Sequence, residues 1–450
     1  MPNTLDCPVR KYASTCPDHP ALLSPHAQIN YRELNYLIDK TASNLYQSGI
    51  SAGDVVGLQA AFHPHFIYLI FALLRLRAIA LPLNYRFPMQ MQQEILSRCG
   101  AKNLIHPEKF LFTKPVAPYP EKILKAPTPY LYLLTSGSSG FPKIAVISFA
   151  NCFYSALGVA QAIRLDSQDR YLLSLPCHHI GGLAIVFRTF FCGATLVLPS
   201  SDVSRQIQKD NISHLSLVPT QLYRIMQKTS HFPSLKSLLL GGAPNHLKTS
   251  EQKFLEAPLL YSYGMTEMSS TISLGPIASG SILPYRQVHI HEDHEIFVKG
   301  PTLFLGYLEK GKISRPVSSE GWFATKDLGK IRKDGSLEII GRKDRLFICA
   351  GENCHPEEIE MAIYQAERAV KIAAVVPVPN PEYGFRPAAF IKSDFPFHEA
   401  RIKENLRKFL PPIKIPIRIL PLPDKALTGM KVNYLFLKNM ALKSSGIGML

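Results

Sequence analysis

One stretch limits what this chain can fold into more than any other: Thr135-Ser136-Gly137-Ser138-Ser139-Gly140-Phe141-Pro142-Lys143. It follows Tyr130-Leu131-Tyr132-Leu133-Leu134, whose large apolar and aromatic residues read as a buried strand. A flexible, hydroxyl-rich loop leaving a rigid strand is how a phosphate cradle is built. The glycines allow a close backbone path, main-chain N–H groups and hydroxyls point inward as donors, and Lys143 adds a formal charge. By composition alone the same residues would also suit a surface linker. The loop is not a Walker A motif, which needs Lys directly after its second Gly; here Gly140 is followed by Phe141-Pro142. Ordinary nucleoside triphosphatases are thereby disfavoured.

The chain, at 450 residues, can bury one large core and carry a smaller second domain. Its 46% hydrophobic content with both charge signs present is that of a globular protein. Fifty Lys+Arg against 34 Asp+Glu give a formal charge of +16, which fits anionic partners without choosing among nucleotides, CoA, nucleic acid or an acidic membrane surface. Eight cysteines with no Cys-x-x-Cys pair read as reduced, packed thiols. Met1 to Ala13 has no apolar signal core, so a cytoplasmic protein is expected. The most membrane-like run, Phe66 to Leu83, is interrupted by Arg75 and Arg77 and reads as a buried helix entering a strand rather than a transmembrane segment.

Further along, apolar spacing predicts helices over Tyr31–Tyr46, about Pro64–Leu76 and Asn151–Ile163, and strands over Val55–Leu58, Ala78–Asn84 and Tyr171–Pro176. Pro107 to Pro129 reads as a loop. The strand ending at Pro176 runs into Cys177-His178-His179-Ile180-Gly181-Gly182-Leu183, where adjacent histidines point apart on an extended chain and a metal site is disfavoured. Ser237 to Leu240 reads as a strand entering Gly241-Gly242-Ala243-Pro244, where backbone can lie flat against a planar ring. Tyr261-Ser262-Tyr263-Gly264-Met265-Thr266-Glu267 then gathers an aromatic ring, a glycine, a hydroxyl and a carboxylate. Gly321 to Asp327, Gly341-Arg342-Lys343-Asp344 and Leu427-Thr428-Gly429-Met430-Lys431-Val432 complete the set. No Ser-His-Asp nucleophile set is legible.

Together these motifs resemble the adenylate-forming superfamily of acyl-CoA ligases, luciferases and peptide-synthetase adenylation domains. The resemblance implies an α/β fold: a large N-terminal domain of layered sheets and helices, residues 1–343, and a small, mobile α+β C-terminal domain, residues 344–450. It implies ATP, Mg2+ and CoA as cofactor and co-substrates and a small carboxylic acid as substrate. By resemblance the loop Thr135 to Gly140 with Lys143 cradles phosphates, Gly241, Gly242, Ala243 and Tyr263 with Gly264 flank adenine, and Thr266 touches the phosphates. Glu267 would help hold magnesium, Asp327 accept the ribose hydroxyls, Arg342 lie near ribose and phosphate, and Asp344 act as hinge. Lys431 would be the catalytic lysine, with Lys425 as the alternative, and His179 with Gly182 would border the acyl pocket. The chain departs from the family where Arg77 replaces a small residue, Ala350 a glycine, and Asn433 or Tyr434 an arginine.

Within the superfamily, the stretch around residues 175–275 resembles the o-succinylbenzoate-CoA ligases. Such a substrate keeps a second carboxylate, which a pocket must pair with a cation or several donors. Arg188 is the candidate cation, with Ser269, Ser270 and Thr271 as candidate donors; a structural ion pair for Arg188 stays open. Other aryl- or medium-chain acids, loading of a carrier-protein thiol, and an inactive nucleotide-binding protein remain as alternatives. From Ala400 onward ten Lys+Arg stand against two Asp+Glu, a surface that suits the phosphates of CoA, and no nucleic-acid module is recognisable. Oligomeric state is not legible.

Overall fold

A computed structural model describes residues 4–120, 124–125, 127–135, 142–229, 232–241, 258–276, 279–428 and 431–444. The chain divides into two compact units. The first comprises Met1–Val288, Val298–Phe323 and Gly335–Leu337; the second comprises His289–Phe297, Ala324–Asp334 and Glu338–Leu450.

Two sheets organise the first unit. In one, strands at 312–314, 306–309, 143–148, 129–135, 79–83, 55–59 and 101–105 lie side by side in that order. In the other the order is 279–282, 270–275, 259–265, 237–241, 214–217, 170–172, 195–197, 20–23 and 28–30. The strands from 259–265 to 20–23 in that order are parallel to their neighbours, so helical crossovers join them. In the first sheet the helix Pro64–Leu76 joins the parallel strands 55–59 and 79–83: Pro64 pre-sets its first turn, His63 caps it by accepting from the His65 amide at 3.2 Å, and its residues from Phe66 onward are all buried. Phe66 to Leu83 is therefore this helix followed by the strand Ile79–Leu83, and no helix among the described residues is long and apolar enough to cross a membrane. Asn30 and Ser148 close capping boxes on the helices Tyr31–Gln47 and Phe149–Ile163. Edge-to-face contacts of Phe71, Tyr130, Phe149, Phe187 and Phe190 join three helices and the strand Pro129–Thr135 into one aromatic core.

The structure contains a Ser-His-Asp arrangement that the sequence did not disclose. His214 Nδ1 lies 2.7 Å from Ser237 Oγ and its Nε2 3.1 Å from Asp169 Oδ2, while Lys236 Nζ reaches Asp169 Oδ1 at 2.7 Å. These residues sit at the amino ends of three parallel strands, and Ser237 is only 2% exposed, so its hydroxyl is no nucleophile for an outside substrate. Burial alone would raise the Asp169 carboxyl, but the adjacent His214 and Lys236 outweigh it and hold it below the usual carboxylate range.

The second unit is built on the long antiparallel pair Val370–Asn380 and Gly384–Ser393, flanked by strands 347–349, 352–354 and 419–421. Alternation sorts its faces. Ala373, Val375, Ala389 and Ile391 meet the helices Pro356–Ala366 and Glu399–Leu406, while Ala374, Val376, Ala388 and Phe390 meet Leu437 and Ala441 of the helix Tyr434–Ser444. One ribbon thus separates two small cores.

Candidate active site

Pro129–Thr135 pairs antiparallel with Lys143–Ser148, and Thr135 stands opposite Lys143. Ser136, Gly137, Ser138, Ser139 and Gly140 lie outside the described residues. The next strand over, Gly306–Glu309, puts Tyr307 opposite Ala145 and so diagonal to Lys143 on the same face. Lys143 Nζ lies 4.7 Å from the Tyr307 ring centroid, and the Tyr307 hydroxyl donates to Glu267 Oε1 at 2.7 Å. The Phe304 amide also donates to the Glu267 carbonyl at 2.8 Å. Glu267 is buried, and no cationic side chain pairs with it among the described residues. A buried carboxylate with one oxygen held and no resident cation is a fitting ligand for Mg2+ beside phosphate oxygens.

Gly241 ends the strand Ser237–Gly241 and lies in register with Ser262, beside Tyr263; Gly242 and Ala243 lie outside the described residues. The pairing of Leu259–Met265 with Ser270–Gly275 shifts register between Tyr263 and Gly264. That shift explains the glycine, since a Cβ on Gly264 would come 2.2 Å from the Ser270 carbonyl oxygen. Thr266 opens a short 3-10 turn that carries Glu267, and the turn exits through Ser269 at φ 54° and Ser270 at φ 118°. Such angles are strained for serine and are held by neighbours. Ser155 Oγ donates to the Ser269 carbonyl at 2.6 Å, Ser269 Oγ to the Thr302 carbonyl at 2.9 Å, and Arg286 Nε to the Thr271 carbonyl at 2.8 Å. The Ser269 hydroxyl is therefore structural. Those of Ser270 and Thr271 lie 3.4 Å apart, with Thr271 also 3.1 Å from Ser262 Oγ.

The expected strand Tyr171–Pro176 is shorter, since regular pairing covers Arg170–Leu172, and the chain then turns into a helix, Ile180–Cys192. His179 is its N-cap and Gly182 lies in its first turn, where a Cβ would meet the Pro176 carbonyl oxygen at 2.4 Å. The rings of His178 and His179 are 4.3 Å apart. Burial first, then the neighbouring His179 and Arg86, push His178 down to about 4, so it is neutral near pH 7. Arg188, two turns on, is buried: its Nε donates to the Ala184 carbonyl at 3.0 Å and its Nη1 to the Tyr171 hydroxyl at 3.1 Å. The ion pair left open for it is not formed among the described residues.

In the second unit, Arg342 Nη1 donates to Asp327 Oδ1 at 2.9 Å, and the same guanidinium grips both oxygens of Asp344 at 3.1 and 2.9 Å. The hydrogen bonds from Arg342 hold the Asp344 carboxyl below its usual range. Lys431 begins a two-residue strand opposite Thr428, and its side chain lies outside the described residues; Lys425 is exposed in the turn Asp424–Ala426. Just beyond, the Tyr434 ring packs 3.9 Å from the Arg345 guanidinium, which also pairs with Glu357 at 2.8 Å and Glu360 at 2.6 Å. An aromatic ring thus occupies the neighbourhood where the family usually has an arginine.

Tyr307 and Arg286 escaped the sequence reading. Tyr307 stands within Gly306-Tyr307-Leu308, whose only local signal is a glycine-led aromatic after an apolar run, and Arg286 follows a Leu283-Pro284 turn like any surface arginine.

Comparison with known proteins agrees with this geometry. The family model described as AMP-binding enzyme matches residues 9–308. A 2-succinylbenzoate–CoA ligase of Escherichia coli is 33% identical over 94% of this chain and 95% of its own. The solved o-succinylbenzoate CoA synthetase of Bacillus subtilis in complex with the acyl-adenylate intermediate is 25% identical, with a TM-score of 0.88 over 97% of this chain and 98% of that one. The same enzyme in complex with ATP and magnesium ion gives a TM-score of 0.87, again at 25% identity, over 97% of this chain and 99% of that one.

Proposed function

The chain belongs to the family of AMP-binding enzymes, and on that premise we propose that it joins o-succinylbenzoate to CoA, using ATP and passing through an acyl-adenylate. A free carboxylate is a poor electrophile. Its oxygen forms a bond to the α-phosphorus of ATP, the bridging P–O bond breaks, and pyrophosphate leaves. The CoA sulfur then attacks the acyl carbon, AMP departs with the bonding pair, and the thiol proton is released to solvent or a base.

The residues divide this work. Lys143 and the hairpin loop bind the phosphates, and Tyr307 holds both Lys143 and Glu267 in place. Magnesium, when bound at Glu267, neutralises charge that gathers on the phosphates. Lys431 stabilises the α-phosphate as the new bond forms, and Asp327 with Arg342 orients the ribose. Gly241 to Ala243 and Tyr263 receive the adenine, while His179 and Gly182 border the acyl group. The need for ATP and CoA supports a cytoplasmic location.

The observation that carries the choice of acid is Arg188, a buried cation with no acidic partner among the described residues. A monoacid would leave it uncompensated; a diacid supplies the missing charge. Pyrophosphate release from MgATP across a panel of mono- and dicarboxylic acids, with and without CoA, tests this. Strong release with o-succinylbenzoate, and thioester only with CoA, is expected. Equal release with acids lacking the second carboxylate would move the function to another acyl-CoA synthetase.

A further inference from the structure

Among the described residues three arginines are buried, Arg75, Arg188 and Arg286. Arg75, 3% exposed, meets Asp39 at 2.6 Å, and the half-buried Arg345 lies between Glu357 and Glu360. Arg188 and Arg286, 3% and 6% exposed, have no acidic partner among the described residues. Every hydrogen bond of Arg286 goes to a neutral oxygen: Nε to the Thr271 carbonyl at 2.8 Å, Nη1 to the Pro284 carbonyl at 2.7 Å, and Nη2 to the carbonyl and hydroxyl of Ser155, both at 3.1 Å. Four neutral acceptors fix its position and leave its charge uncompensated. Burial first, and the charge of Arg188 second, pull Arg286 down to about 9.

The surroundings are shaped to hold it there. Gly158 lies inside the helix Phe149–Ile163, where glycine is unfavourable, yet a Cβ at that position would come 2.2 Å from Arg286 Nη1 and 2.7 Å from the Pro284 carbonyl oxygen. Ser155, one turn earlier on that helix, binds both Arg286 and the strained Ser269. Arg286 therefore stands directly behind the Ser269–Thr271 turn that leaves the Glu267 motif.

We propose that Arg286 is the second cation of the acid-binding pocket: Arg188 meets the carboxylate that the substrate keeps after activation, and Arg286 acts on it from behind the Ser269–Thr271 turn. It is a positioning residue, acting through the turn it clamps and through its field. An anion bound near two like charges relieves their repulsion as well as its own desolvation, so the pair favours a diacid more than either arginine alone. This rests on the diacid reading given above.

The test is the ratio of KM values for o-succinylbenzoate and for the same skeleton with its ring carboxylate replaced by hydrogen, in MgATP-dependent pyrophosphate release. It compares wild type with Arg286→Lys and Arg286→Gln; thermal melting and the KM for ATP report on folding. Arg286→Lys, which keeps the charge, should preserve the discrimination. Arg286→Gln should lower it about tenfold by raising the KM for the diacid alone, the effect of one charge acting across protein interior. Should Arg286→Gln not fold, Gly158→Ala displaces the guanidinium without removing it and should shift the ratio in the same direction. An unchanged ratio, or equal losses with both acids, would make Arg286 a clamp only and overturn the proposal. A wild-type enzyme that does not discriminate would instead overturn the diacid reading, and this proposal with it.

Discussion

Tyr307 touches both Lys143 and Glu267, the residues proposed to bind phosphate and magnesium, and its two contacts can be removed separately. Tyr307→Phe deletes the hydroxyl that holds Glu267 Oε1 but keeps the ring beneath Lys143. A hydrogen bond to a charged group is worth about 1.5–3 kcal/mol, so the Mg2+ needed for half-maximal adenylation should rise about tenfold. Mn2+ binding followed by electron paramagnetic resonance should weaken in parallel. Tyr307→Leu should in addition raise the KM for ATP, and an unaltered Mg2+ dependence in Tyr307→Phe would remove the tyrosine from the metal carboxylate's support. His178 gives a pH signature. Its ring is held down to about 4 when folded, whereas the unfolded chain takes up the proton near its ordinary value. Between those values the unfolded state binds more protons, so this stability is fully present above about pH 6.5 and is lost as pH falls toward about 4. Urea midpoints should drop across that window in wild type, and less steeply in His178→Gln. Equal slopes would show that other groups account for the loss.

At the scale of elements, the helix Pro64–Leu76 ends on Arg77 at φ 56°, a left-handed conformation that glycine adopts without strain. The small residue usual in the family belongs to this geometry, and Arg77→Gly should raise stability by about 0.5–1 kcal/mol, read as a higher urea midpoint. A lower midpoint would mean that the arginine side chain contributes packing that outweighs the strain. Ala350, at φ 51°, repeats the pattern in the second unit. Both departures were legible against the family pattern, a small residue at 77 and a glycine at 350; the left-handed backbone that explains them was not. The helices Tyr31–Gln47 and Pro64–Leu76 were legible because their apolar spacing is strong. Other elements were hidden. The strand Lys143–Ser148 runs without punctuation into the helix at Phe149, and the helix Ile180–Cys192 starts with two glycines that look like a loop. The strand Ser270–Gly275 alternates polar Thr271 and Ser273 with apolar Ile272 and Leu274 yet is buried throughout, so its polar face is held inside by hydrogen bonds such as that between Thr271 and Ser262. Likewise the local motifs marked Glu267 and Lys143, but not Tyr307, which reaches both only through strand pairing.

At the scale of the whole molecule, the two steps ask for different surroundings of one adenylate, and we propose that the C-terminal segment, residues 344–450, turns about Asp344 between them. Arg342 pairs with both Asp344 and Asp327, so on this proposal it would tie the pivot to the carboxylate proposed for the ribose. Asp344→Pro, measured against Asp344→Ala to account for the lost ion pair, should slow thioester formation from preformed adenylate about tenfold more than adenylation; equal slowing of both would remove Asp344 as pivot. The buried relay of Asp169, His214 and Ser237 bears on something else, the time for which the fold lasts once made. Its members arrive from successive crossovers of a parallel sheet, so it can close only after distant segments have docked, late on the folding route. Interactions absent from the transition state govern escape from the native state rather than arrival at it. His214→Ala should therefore unfold at least about tenfold faster in stopped-flow denaturation while refolding at the wild-type rate, and slower refolding would place the relay early instead. On this reading the most enzyme-like triad in the molecule is a latch that sets the lifetime of the native state.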